Sequence, residues 1–344
     1  MRKQLFDESG FTLAELLVSS VVTLMVLGAA LGTFSDALRV TDAARETTDT
    51  NQSLEVATSL LIRDLIQGGQ GLPLGGISVP SGIGATAINR PSPAGGAMTF
   101  PGGTEVLSAV FPGGGLGPAV LGIQTDLITI MYADPSLPVM TVTVAPDGSS
   151  MAVDPAVSIT GADGLRVGDL ILFKGGASSG TALQIVTGVS GGQTVFFAAG
   201  DDMNLNQRAP AQGTVLNRLI ADDPSVQPTA RRVNMITYYI DVTTDPALPR
   251  LVRQLNNGDR LAIALGIENI QITFDLVDDA TNPTNIENPS APNSAHQIRK
   301  ANIFLAGRSL DVNPRTRQFY RNTVATQVSL RSLAFRSRYS AEDQ

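Results

Sequence analysis

The sequence predicts an α+β protein in which a long amino-terminal helix, membrane-spanning in its first half, packs on an antiparallel β-sheet. Three observations support this fold class. No proline occurs between Phe11 and Gly71, and no charged residue occurs between Leu16 and Phe34. The remainder is rich in glycine and proline, with short segments that alternate apolar and polar residues, as half-exposed antiparallel strands do.

The uncharged run from Leu16 to Phe34 has the length of a membrane span. As a helix it extends roughly 28 Å, close to the hydrocarbon thickness of a bilayer. Arg2 and Lys3 precede it, so the positive-inside rule places the amino terminus in the cytoplasm and exports the rest. A secretory signal peptide would have a shorter apolar core followed by a small-residue cleavage site, and no convincing site follows Phe34.

Glu15 lies about one turn inside the apolar segment. A charge at the centre of a membrane helix costs roughly 2.5–3.5 kcal/mol, so such residues normally have a partner and a function. Its neighbours at helical spacing are uncharged: Phe11, Thr12, Val18 and Ser19. A simple signal anchor would explain the span but not Glu15, and we therefore expect the partner of Glu15 to come from another molecule.

The segment GFTLAELLV, residues 10–18, resembles the class III signal of type IV prepilins and pseudopilins. The resemblance implies that prepilin peptidase cleaves between Gly10 and Phe11 and methylates the new amino group of Phe11. It also implies that Glu15 pairs with the terminal amine of a neighbouring subunit. Pairing would offset the cost of placing either charge in lipid.

The helix is expected to cover residues 11–67, with its transmembrane part at about 11–34. Leu54, Ala57, Leu61 and Leu65 recur at helical spacing and predict an apolar stripe that packs on the globular head. The glycines and proline of residues 68–73 predict the end of the helix.

The rest of the chain divides by composition into further segments. Residues 1–10 form the expected leader, 68–122 a glycine- and proline-rich linker or extended ribbon, and 123–220 a β-rich unit inserted into the head. Residues 221–344 are expected to form the carboxy-terminal antiparallel sheet of the pilin head. The order of apolar segments after residue 235 resembles the second half of PilW-like and GspJ-like minor subunits.

Strands are predicted from β-branched and aromatic segments bounded by turn residues, and those of the second group below also tend to alternate apolar and polar residues. The first group comprises Leu127–Tyr132, Met140–Val144, Asp169–Phe173, Leu183–Val189, Thr194–Ala198 and Val215–Ile220. The second, longer group comprises Arg232–Val242, Arg250–Gln254, Ile267–Val277, Gln297–Arg308 and Thr323–Ala334.

Composition argues against an enzyme. The absence of cysteine excludes disulfides, thiol nucleophiles and thiolate metal sites, and His296 is the single histidine. No serine elbow with an ordered acid and histidine is present. We therefore expect no catalytic residue, no cofactor and no metal. The loop from Asp275 to Asn288 is rich in oxygen ligands that suit calcium, but its spacing matches no EF-hand, and a solvated loop is favoured.

Lysine plus arginine total 24 and aspartate plus glutamate 31, a net charge of −7, which is not the composition of a nucleic-acid binder. One segment is nevertheless basic, and DNA capture by a tip subunit is the alternative it raises. Arginines that pair with acidic neighbours or other subunits are favoured over that alternative. The basic residues are Arg299, Lys300, Arg308, Arg315, Arg317, Arg321, Arg331, Arg336 and Arg338.

The function implied by the resemblance is that of a minor pilin or pseudopilin, a structural subunit that assembles or primes a type IV pilus or a type II secretion pseudopilus. Its expected partners are prepilin peptidase, other major and minor pilins or pseudopilins, the inner-membrane assembly platform and the lipid bilayer. The alternative is a membrane-anchored adhesin or DNA-binding tip subunit that uses the pilin export route. The expected location is the inner membrane, single-pass with the head in the periplasm, and then the fibre.

Overall fold

The computed structural model describes residues 11–73, 76–101, 106–161, 163–175, 180–208, 210–211, 216, 227–278, 280–313 and 316–330. The expected leader, including Gly10, lies outside these residues. So do the strand predicted at Val215–Ile220, apart from Leu216, and the end of the strand predicted at Thr323–Ala334.

Helix α1 (Leu13–Gln67) contains 55 residues and is about 82 Å long. Its amino terminus is capped by Thr12, and its last residue is followed by Gly68 as the carboxy-terminal cap. Gly69 and Gly71 then adopt positive φ angles of 84° and 70°, which turn the chain back toward the β-rich remainder, here called the body. The predicted helix and its glycine-encoded end are confirmed.

The body is built from strands. Before residue 200 they are short: β1 (Ile77–Ser78), β2 (Asn89–Pro91), β3 (Ala97–Thr99), β4 (Val106–Leu107), β5 (Val110–Gly113), β6 (Ala119–Val120), β7 (Ile123–Gln124), β8 (Leu127–Ala133), β9 (Met140–Val144), β10 (Ser150–Val153), β11 (Leu170–Lys174), β12 (Thr181–Ile185), β13 (Gly188–Ser190) and β14 (Thr194–Phe196). The later strands are longer: β15 (Thr229–Asp241), β16 (Arg250–Leu255), β17 (Arg260–Leu265), β18 (Ile267–Leu276), β19 (Ile298–Arg308) and β20 (Arg321–Ser329). A short 3₁₀ turn, Ala295–Gln297, precedes β19.

Strand β15 organises the largest sheet, which joins eleven strands of the described chain. Its first residues pair with β9 and β11, and its later residues pair with β8 and β16, antiparallel in every case. Ile236, for example, lies opposite Ile130 on one side and Leu255 on the other. Strands from residues 123–220 and strands after residue 226 therefore share one sheet, and the inserted unit stays a prediction.

A second, three-stranded sheet consists of β18, β19 and β20 in that order. The second half of α1 packs against it and against β17 and β8. Leu54, Ala57, Leu61 and Leu65 are all fully buried, which confirms the predicted stripe. Gly307 of β19 lies close beneath the helix: a Cβ added at this position would sit only 3.2 Å from Leu54 Cδ2. Each buried leucine contributes roughly 1.5–3 kcal/mol to the folded state.

Strands β11 and β12 are buried on both faces. Leu170 and Leu172 belong to the core beneath α1, whereas Ile171 and Phe173 belong to a second core on the opposite face. In that second core Phe173 meets Phe197 edge to face, with ring centroids 5.5 Å apart. A strand buried on both faces lacks the alternation of a surface strand, and its continuous apolar run is the matching sequence pattern.

The strand prediction differs from the structure at Leu183–Val189, and it misses β7, β10 and β17; Leu216, the one described residue of the predicted strand Val215–Ile220, is helical. The strand predicted at Leu183–Val189 is two strands, because β12 pairs with β11 whereas β13 pairs with β14; between them, the Thr187 hydroxyl and amide both donate to Phe196 O of β14. Strand β17 was not predicted at all. Its sequence after Arg260 contains leucine and alanine, which favour helices, and only Ile263 is β-branched.

The glycine- and proline-rich segment 68–122, expected as a linker or extended ribbon, is folded onto the body in its described part. It supplies β1 to β6, and Ile77 and Val110 are fully buried in the core beneath α1. Strand β5 pairs with β8 in the largest sheet. Its glycines provide turns between short strands; Gly95, between β2 and β3, has a φ of 100°.

Candidate functional site

The first turn of α1 contains the residues that the sequence singled out. The Thr12 amide donates to Glu15 Oε2 at 2.9 Å, and the Glu15 amide donates to Thr12 Oγ1 at 3.3 Å. The Thr12 hydroxyl also donates to Glu15 Oε2, at 2.9 Å. This reciprocal capping box satisfies amides that have no partner within the helix. It leaves Glu15 with local hydrogen bonds and with no salt bridge to any described cation.

The first half of α1 touches nothing else in the described chain. Phe11 is 88% exposed, and the large apolar side chains that follow it are also exposed. By length and composition this helix could cross a membrane, and none of its most apolar window is buried inside the protein. A continuous apolar surface of this size in water is a strong driving force for association or insertion.

Hydroxyl groups within the apolar half are satisfied by the helix itself. The side chains of Ser19, Ser20 and Thr23 donate to the carbonyl oxygens of Leu16, Leu17 and Ser19, at distances of 2.7–3.0 Å. Thr33 does the same with Ala30. Since unpaired polar groups are costly in lipid, these bonds make the segment compatible with a hydrocarbon environment.

Gly28 and Gly32 leave room on one side of the helix. A Cβ placed on either glycine would meet no atom within 4 Å. Small residues four positions apart allow another helix to approach closely. Within the described chain that face has no occupant.

The second half of α1 carries a polar contact that sequence reasoning missed. Asp64 is fully buried, and its Oδ2 accepts hydrogen bonds from the Tyr238 hydroxyl at 2.6 Å and from Arg253 Nε at 2.7 Å. Arg63 Nε lies 3.5 Å from Asp64 Oδ1. The sequence contained one signal of this contact. Asp64 follows Leu61 by three residues and therefore lies on the apolar stripe, and an acid on a buried helix face requires a partner.

Residues considered for metal or catalytic chemistry are engaged in local hydrogen bonds. His296 is half-buried beside the Ser108 hydroxyl, 3.2 Å from its Nε2. Asp278 accepts the amides of Ala280, Thr281 and Asn282, so its carboxylate holds its own loop together. The described residues contain no group of three or more acids and histidines placed to hold a metal ion.

The basic segment forms pairs with acids. Glu268 lies 2.8 Å from Arg321 Nε and 3.3 Å from Arg308 Nε, and Lys300 lies 3.3 Å from Asp275. The Arg308 guanidinium also covers the Phe319 ring at 3.7 Å. Pairing with acids is what the favoured interpretation expected. Four residues of the basic segment lie outside the described residues: Arg315, Arg331, Arg336 and Arg338.

Comparison of the chain with protein-family models, curated proteins and solved structures found no match. The functional interpretation therefore depends on the motif at the start of α1 and on how that helix divides between an exposed and a docked half.

Proposed function

We propose that the protein is a minor pilin or pseudopilin of the PilW-like or GspJ-like kind, a structural subunit that assembles or primes a type IV pilus or a type II secretion pseudopilus. One observation carries the proposal. A single helix has a docked half, with Leu54 and Leu61 fully buried, and an exposed apolar half that begins with Phe11 and Glu15.

The exposed half needs a lipid or protein environment, since water is a poor solvent for it. Lipid supplies that environment before assembly, and the helices of other subunits supply it within a fibre. Glu15 then changes partner. In the monomer its carboxylate bonds to Thr12, and in the fibre it pairs with the methylated terminal amine of a neighbouring subunit. Each charge offsets the cost of burying the other.

The same proposal assigns location and partners. Prepilin peptidase removes residues 1–10 at the cytoplasmic face and leaves Phe11 as the mature terminus. The protein resides in the inner membrane with its body in the periplasm until the assembly platform adds it to other pilins or pseudopilins. Residues 35–49, which include Asp36, Arg39 and Asp42, continue the helix in water between the bilayer and the body.

The test compares two glutamates on α1. Glu15→Ala removes the carboxylate in the membrane-spanning half, and Glu55→Ala removes an exposed carboxylate in the docked half. We expect Glu15→Ala to be processed and inserted normally but to be depleted several-fold from sheared fibres. Glu55→Ala should be incorporated like the unmodified protein. Equal incorporation of both variants in a quantitative shear assay would contradict the proposal.

A further inference from the structure

Arg90 of β2 is fully buried yet incompletely bonded. Its Nη1 donates to the Pro112 carbonyl oxygen at 3.1 Å. Its Nε and Nη2 are buried and have no hydrogen-bond partner among the described residues. Buried donors without an acceptor are rare in folded proteins and call for an explanation.

The surroundings of Arg90 are aromatic. Its Cζ atom lies 5.0 Å from the ring centroid of Phe100 and 5.5 Å from that of Phe111. The two rings meet edge to face, 4.9 Å apart. None of the salt bridges between described residues includes Arg90. The ring faces attract the guanidinium, but they accept no hydrogen bond of ordinary strength.

The Arg90 guanidinium keeps its charge at neutral pH. Burial lowers its pKa to about 10, which is still well above 7. A buried cation without a negative partner is strongly destabilising, and the ring contacts offset only part of that cost. Among the described residues no acid supplies that charge, so a negative partner beside Arg90 would stabilise the fold.

The two unbonded nitrogens define where that charge sits. Nε and Nη2 form one edge of the planar guanidinium, and their N–H bonds point in parallel, so a single acceptor can receive both. The opposite side of the group is already used by the bond from Nη1 to Pro112. A polyvalent oxyanion would need several further donors, and the Phe100 and Phe111 rings beside the guanidinium supply none.

From this geometry we propose that Arg90 binds a small monovalent anion, with chloride as the natural occupant, through its Nε and Nη2 atoms. The anion neutralises the guanidinium and joins the β2–β3 hairpin to β5, the strand that carries Phe111 and Pro112. The site is structural and independent of fibre assembly.

The first test is thermal unfolding of the full-length chain in detergent, at equal ionic strength, in sodium chloride or sodium gluconate. Gluconate is a much larger organic anion and serves as the reference, so chloride should raise the unfolding temperature relative to it by about 3 °C. Arg90→Met should abolish this difference. Arg260→Met is the matched control, because Arg260 bonds Ser92 O of the same hairpin from a partly exposed position, and it should retain the difference.

The second test does not depend on a variant that folds. Crystals of the full-length protein grown in sodium bromide should show an anomalous peak at hydrogen-bond distance from Arg90 Nε and Nη2. A water molecule there with no anomalous signal would overturn the proposal. So would a chloride effect of equal size in Arg90→Met and the unmodified chain.

Discussion

Asp64 of α1 accepts a hydrogen bond of 2.6 Å from the hydroxyl of Tyr238, the residue of β15 that faces it across the core. Both side chains are fully buried, and Arg253 Nε bonds the same carboxylate oxygen at 2.7 Å. Burial, and secondarily the nearby Asp64 charge, raises the pKa of Tyr238 far above its usual range, so its hydroxyl stays a donor. The contact fixes the helix to the central strand of the body.

Removing this acid should destabilise the body strongly. Asp64→Ala leaves the partly buried Arg253 and the buried Tyr238 without their acceptor. It should lower the unfolding free energy by about 3–5 kcal/mol. Tyr238→Phe removes one donor and should cost about 1–3 kcal/mol. Urea unfolding of the full-length chain in detergent measures both.

The control for this pair is Asp36→Ala. Asp36 forms an ion pair with Arg39 on the same helix, but both side chains are largely exposed, and the loss should be below about 1 kcal/mol. Similar losses for Asp64→Ala and Asp36→Ala would show that the buried contact contributes little.

The apolar stripe of α1 gives a second prediction. Leu61 is fully buried and Ile66, on the same helix, is 52% exposed. Leu61→Ala should lower the unfolding free energy by about 2–5 kcal/mol, because it leaves a cavity between α1 and the sheets. Ile66→Ala should change it by no more than about 0.5 kcal/mol. Denaturant titration measures both losses. A larger loss for Ile66→Ala than for Leu61→Ala would contradict the docking of the apolar stripe on the sheets.

Acid should weaken the body through Asp241. Burial alone would raise the pKa of Asp241, but hydrogen bonds from Thr243, Arg250 and Thr244 outweigh it and lower that pKa far below the usual range. The folded-state pKa therefore lies below the unfolded one. The resulting stabilisation is complete above about pH 4 and is lost as the pH falls further.

The measurement is the unfolding free energy between pH 7 and pH 2. Asp241→Asn should be less stable than the unmodified chain at pH 7, and the difference should shrink as the pH falls below about 4. A difference that stays constant across this range would show that the Asp241 charge contributes nothing.

Processing gives a prediction at the start of the chain. Gly10→Val should block cleavage, because the resemblance places the scissile bond directly after Gly10. Intact mass spectrometry of the unmodified protein should find a chain that begins with methylated Phe11. Gly28→Val is the control, since a Cβ at Gly28 meets no described atom within 4 Å, and it should be cleaved normally. An uncleaved unmodified chain would remove the main support for the proposed function.

The placement of residues 123–220 can be tested by deletion. Strands β8 and β11 lie in this segment and both pair with β15. Replacing the segment by a short glycine–serine linker should therefore abolish the folded body, seen as loss of protease resistance and of β-sheet circular dichroism. A shortened chain that keeps a protease-resistant body would establish the segment as an independent insertion.

Local patterns were enough to predict much of this fold. The absence of proline and the spacing of Leu54, Ala57, Leu61 and Leu65 predicted the helix and its buried face. Alternation predicted the long strands of the second half within a few residues, for example Arg250–Gln254 against the observed Arg250–Leu255. These features depend on neighbours in sequence, which is why they could be read directly.

Features that depend on distant residues could not be predicted. Asp64 meets Tyr238 across 174 positions and Arg253 across 189. The burial of Arg90 depends on Phe111 and Pro112, which another strand brings to it. Strand β17 exists because a turn at Gly258 folds it back on β16, against the helix preference of its leucines and alanines. Tertiary pairing overrode local propensity there.

Because α1 is unbroken from Leu13 to Gln67, its two halves are mechanically continuous. Tension applied near Phe11 travels along the backbone and reaches the body between Thr50 and Leu65, where the buried stripe and Asp64 lie across the sheets. These contacts are loaded in shear, so many of them must yield together before the body detaches. The contacts that stabilise the folded chain at rest would therefore also transmit tension from the helix to the body in the proposed fibre.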